Sequence, residues 1–172
     1  MILFLLYLLI VVLLGLIFWE DFKFRLVNVL YFVGLAFIGT CVFFVQNKIF
    51  SNVLYSLLFL ILNLFFIKLY TVFRFKDGKE SLFKIPDLAE GDIIFFLVII
   101  PLFSFLNYVI FFISGLIFSL LIHFFVKAFI DDRNTIPLAG YLALYLIIVI
   151  LSSLLVEASL YVNLTFCTWK IF

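Results

Sequence analysis

The sequence predicts an all-α polytopic membrane protein with six transmembrane helices in a single domain, residues 1–172. Three observations lead there. First, 69% of the 172 residues are hydrophobic, 12% are charged and the mean hydropathy is +1.44. A soluble domain of this size has too small a core to hide so much apolar surface. Second, the apolar runs are long and continuous rather than alternating. In lipid, where the backbone must satisfy its own hydrogen bonds, that pattern selects helices over a barrel. Third, the polar residues gather in a few connectors between those runs.

About 20 apolar residues are needed to cross a bilayer. The first run, Met1–Trp19, has no basic lead-in and no small-residue cleavage pattern after it, so it is expected to be a retained helix and not a cleaved signal. The second and third are Val29–Val45 and Val53–Phe73. The fourth, Ile93–Phe105, is short, and Pro101 and Asn107 mark its far end. A tight turn must lead into the fifth, Tyr108–Phe129; Ile136–Val156 is the sixth. Pro137 suits the first turn of that last helix, where its missing N–H has no intrahelical partner to serve. The 27 Phe fit lipid-facing and helix-packing positions.

The connectors set the orientation. Lys23 and Arg25 follow the first run, Arg74, Lys76, Lys79 and Lys84 the third, and Lys127 and Arg133 the fifth. The other side carries only Lys48 and Lys170. Basic excess marks the cytoplasmic face. Both termini are then expected outside, and the polar segment at about 74–91 forms a cytoplasmic loop, expected to be the most mobile part of the molecule. Net charge is +1, which makes no case for nucleic acid. Cys41 and Cys167 stand alone in apolar sequence, so neither a zinc site nor any other metal or cofactor is expected.

Two carboxylates sit where apolar runs meet these cytoplasmic connectors: Asp21, in Glu20-Asp21-Phe22-Lys23-Phe24-Arg25, and Asp92, in Ala89-Glu90-Gly91-Asp92. A carboxylate at a bilayer boundary is costly to desolvate, so it is solvated, paired or functional. Two that reach one face can share a proton and hold a water between them, the arrangement an aspartic protease needs. Gly91, lacking a side chain, is expected to let the backbone pass close to a neighbouring helix or a substrate strand. The structural alternative is plain for Asp92, because an acid near a helix N-terminus meets a favourable dipole. It explains Asp21 less well, since that residue is expected just after a helix C-terminus.

These segments resemble the type IV prepilin leader peptidases, membrane aspartic proteases of the GxGD type. Glu20 to Arg25 is similar to the family's first-aspartate motif. Ala89-Glu90-Gly91-Asp92 is similar to GxGD, with Ala89 for its first glycine. Ile136-Pro137-Leu138-Ala139-Gly140-Tyr141-Leu142-Ala143-Leu144 is similar to the Ile-Pro-Phe-x-Pro-x-Leu-Ala segment that opens the last helix. Ile94 stands where the family often has Lys, and Val27 where it has Pro. The resemblance implies catalytic Asp21 and Asp92 at the cytoplasmic face of a bacterial inner membrane. It implies a prepilin-like protein substrate anchored in the bilayer by a hydrophobic helix. The chain has no room for the family's Cys-rich methyltransferase loop, so it implies peptidase activity alone. Glu20 and Glu90, with Asp87, are candidates for leader recognition. Two other readings use the same residues: a small ion- or proton-coupled transporter, and a non-catalytic secretion or pilus assembly subunit that keeps the fold.

Overall fold

A computed structural model describes residues 2–74, 90–129 and 137–155. The described residues form six α-helices: α1 (Ile2–Phe24), α2 (Val29–Val45), α3 (Phe50–Arg74), α4 (Glu90–Val98), α5 (Phe105–Phe129) and α6 (Leu138–Leu155), with a 3₁₀ turn at Ile100–Leu102 after α4. Three stretches are long and apolar enough to cross a membrane: Ile2–Phe24, Phe50–Thr71 and Phe105–Val126. Val29–Val45 and Leu138–Leu154 are shorter apolar helices. Their outward faces carry large apolar side chains, Phe37, Phe44, Phe66 and Phe124 among them. The all-helical class and an apolar exterior suited to lipid are thus as the sequence predicts.

Two helices differ from expectation in an instructive way. The first continues past Trp19, so Asp21 lies inside its last turn rather than beyond it. It stops where Arg25 takes a left-handed conformation (φ 58°), with the Arg25 N–H donating to the Asp21 carbonyl at 3.0 Å. That single closing bond is the αL form of helix ending. Lys23 lies over the rings of Trp19 and Phe24, 5.7 and 5.0 Å from their centroids, so its apolar stem follows the aromatics while its charge stays at the helix end. Asn28 then opens α2, its side chain accepting from the Leu30 N–H at 3.0 Å.

The fourth apolar run is not one helix. α4 has only nine residues, a rise of about 13 Å. Pro101 has no N–H to offer the Leu97 carbonyl, so the α ladder cannot continue and a 3₁₀ turn follows. The Phe96 carbonyl is instead met by the buried Tyr108 hydroxyl at 3.2 Å. This short segment is the centre of the molecule. Phe95, Ile99, Ile100, Leu102 and Phe103 are all buried, and α4 packs against α2, α3 and α6.

The longer helices surround it. α1 makes its largest contact with α6, then with α2. Its buried residues, Tyr7, Ile10, Leu14, Ile17 and Asp21, recur at spacings of three and four and form one seam. On α5 and α6, Gly115 lets Leu142 approach: a Cβ there would come within 2.8 Å of the Leu142 Cδ2. The Tyr145 hydroxyl donates to the Ser114 Oγ beside it at 2.9 Å. Phe59 of α3 lies edge-on to Phe105, Tyr108 and Phe112 of α5, which ties those two helices together near their starts.

Candidate functional site

These contacts define two ends of the bundle. At one end Tyr7 of α1 accepts from Gln46 after α2 (3.2 Å), and Lys48, in the turn before α3, reaches the carbonyls after α4. The other end then holds the last turn of α1 and the first turns of α2, α4 and α6. Asp21 and Asp92 are both there, each buried, at 8% and 7% exposure. In a protein with this few charges, two carboxylates withdrawn from solvent at one end is an arrangement that packing alone does not call for.

Asp21 follows Ile17 in the buried seam of α1, so its carboxylate points inward between helices. Its Oδ2 accepts the Gly140 N–H from α6 at 2.6 Å. The first amides of a helix have no carbonyl partners within it. α6 begins after Pro137, whose carbonyl already accepts from the Tyr141 N–H at 3.1 Å and whose side chain can accept nothing. Asp21 supplies from α1 the cap that the local sequence withholds, and its charge meets the positive end of the α6 dipole. Gly140 is what permits the approach. A Cβ at that position would lie 3.1 Å from the Asp21 Oδ2 and 3.2 Å from its Cβ.

Asp92 lies in the first turn of α4, with Glu90, so it meets that helix's own N-terminal dipole. At Gly91 no described helix makes a close approach. Among the described residues, a Cβ there would meet nothing within 4 Å. The glycine of close helix approach at this end is Gly140, on a different helix.

Glu20 is engaged in the turn between α1 and α2, accepting from the Asn28 N–H at 2.9 Å and from the Tyr31 hydroxyl at 3.2 Å. It shapes the turn that follows Asp21. Glu90 is exposed. Pro137 is buried immediately before α6. Ala89, Asp87 and the rest of the 75–89 segment lie outside the described residues, as do Asp131, Asp132 and Arg133. Among the described residues no group of three or more His, Cys, Asp or Glu is placed to hold a metal ion.

One buried ionisable group counted in the sequence only as a basic residue of the other side. Lys48 is 8% exposed, and its Nζ donates to the carbonyls of Pro101 (3.2 Å) and Leu102 (3.0 Å). Burial pushes its pKa down to about 8. The signal available was the tight turn at Pro101, which leaves carbonyls for a cation to answer. Comparison with family models, with curated proteins and with solved structures returned no match.

Proposed function

We propose that the chain is a membrane aspartic endopeptidase that removes the basic leader from prepilin-like precursors at the cytoplasmic face of a bacterial inner membrane. One observation carries this reading: Asp21 and Asp92 are both buried at the same end of an otherwise apolar bundle. In the proposed topology all six apolar runs cross the bilayer. α2 and α6, at 17 and 18 residues, rise about 26 to 27 Å, close to the hydrocarbon thickness. α4 with its 3₁₀ turn threads the interior, where broken backbone is tolerated because protein surrounds it.

The chemistry needs a water between the carboxylates, one of them protonated. The ionised carboxylate takes a proton from the water as its oxygen attacks the scissile carbonyl carbon. The protonated one gives its proton to the carbonyl oxygen, forming a tetrahedral diol. Collapse breaks the C–N bond, with a proton returned to the leaving nitrogen. Gly91, one residue from Asp92, has no side chain to block the approach of an extended substrate strand. The substrate's hydrophobic helix would lie in the surrounding lipid.

A second reading has its own observation. The Asp21 carboxylate caps α6, a structural task that a fold-only assembly subunit would equally require. Asparagine separates the two, because its amide oxygen caps a helix as well as a carboxylate does but cannot take the water's proton. The experiment is cleavage of a co-expressed prepilin-like precursor, read by its size shift, with Asp21→Asn and Asp92→Asn at wild-type membrane levels. The peptidase reading expects both to be inactive. Undiminished cleavage by Asp92→Asn would sink it.

A further inference from the structure

We infer that Gly140 is a positioning residue for Asp21, setting which carboxylate oxygen faces α6 and which is presented to substrate; the catalytic part of this inference rests on the peptidase reading above. Two independent features carry it. The Gly140 N–H is bonded to Oδ2 at 2.6 Å, which fixes the rotation of the carboxylate. The absence of a side chain at 140 leaves the Asp21 carboxylate undisturbed there, since a Cβ would lie tight against its Oδ2 and Cβ at 3.1 and 3.2 Å and force it to give way. Asp is also the shortest acid, so its Cβ and carboxyl cannot retreat along the chain. Oδ2 is committed to α6 and the Arg25 guanidinium acts on the same carboxylate; Oδ1 is the oxygen assigned to the reacting water. No feature of Gly140 itself touches substrate. It acts through Asp21.

The other glycines make the comparison fair. A Cβ at Gly15, on the same helix as Asp21, meets nothing within 4 Å, and one at Gly34 meets only the movable end of Leu13. An added methyl at those sites changes helix propensity without moving a carboxylate.

The test uses the full chain reconstituted in liposomes, with a prepilin-like precursor as probe, comparing wild type, Gly140→Ala and Gly15→Ala. Gly140→Ala is expected to lower kcat by about tenfold, the scale of a carboxylate displaced by a few tenths of an ångström, with KM within about twofold. The acidic limb of its pH–rate profile is also expected to move, because the carboxylate has lost a hydrogen bond. Gly15→Ala is expected to match wild type. A Gly140→Ala enzyme whose kcat falls only in step with its folded fraction, its profile unmoved, overturns the inference. Should wild type cleave no precursor, the peptidase reading fails. The latch is then judged by hydrogen exchange at the Gly140 amide. Exchange at least tenfold faster in Asp21→Ala, and near wild type in Asp21→Asn, upholds it; equal protection in all three overturns it.

Discussion

The two ends of this bundle bury charge in opposite senses. At one end Lys48 brings a cation to the Pro101 and Leu102 carbonyls, where the 3₁₀ turn ends after α4. At the other, Asp21 brings an anion to an amide that Pro137 leaves uncapped at the start of α6. Both follow one rule: a helical segment ends or begins, orphaned backbone groups result, and a distant side chain of the right sign answers them. The difference is in number. Among the described residues the lysine end buries one charge, and helix termination accounts for it. The aspartate end buries two carboxylates, with the Arg25 guanidinium acting on Asp21, and each carboxylate raises the cost of ionising the other if they approach. A single buried ion is a structural device. Two carboxylates buried at one end are costly to keep, and the proposed chemistry gives a reason for keeping them.

Four measurements break or sharpen that contrast. The largest effect is expected at the aspartate end. Asp21→Asn and Asp92→Asn should each reduce precursor cleavage by about 10³-fold or more, the upper range for removing a general acid or base, while Lys48→Met should retain cleavage per folded molecule. Loss of cleavage in the lysine variant at full folding would erase the contrast. Next is stability at the lysine end. Lys48→Met should destabilise the protein in detergent by about 1–3 kcal/mol, because the Pro101 and Leu102 carbonyls lose their donor. An unchanged denaturation midpoint would show that removing the buried charge offsets that loss.

The third concerns pH. Lys48 titrates at about 8 in the folded protein and near 10.4 when exposed. Between those values the unfolded chain binds more protons, so its contribution makes stability rise with pH. The slope should be at most about 1.4 kcal/mol per pH unit, and it should vanish in Lys48→Met. Titration of denaturation midpoints from pH 7 to 10 reads it directly, and a slope that persists in the variant would assign it elsewhere. The smallest effect separates capping from charge. Asp21→Ala should be less stable than Asp21→Asn by about 1 kcal/mol, the usual worth of a helix cap. Equal stabilities would mean that the bond to Gly140 adds nothing to the fold.

The positions of helices were legible because apolar run length reports them directly. α2 begins and ends where the apolar run Val29–Val45 does. The break in the fourth run was foreshadowed by its shortness and by Pro101. Asp21 and Asp92 stood out as rare carboxylates at the edges of apolar runs. Their shared end followed from counting helices between them. What no pattern announced was Gly140 as the partner of Asp21, or Lys48 as a buried cation, since both depend on residues more than 50 positions away.

Composition and run length alone therefore determined that this chain is helical, lipid-facing and poor in charge, because those follow from the free energy of transfer and need no partner. Which way each helix faces was left to the tertiary structure. α1 is apolar on every side, so nothing in its sequence distinguishes the stripe of Ile10, Leu14 and Ile17 from the exposed Leu8, Leu9 and Val12. Only packing against α6 selects that stripe. Asp21 is carried inward with it, onto the one backbone amide that a glycine leaves within reach.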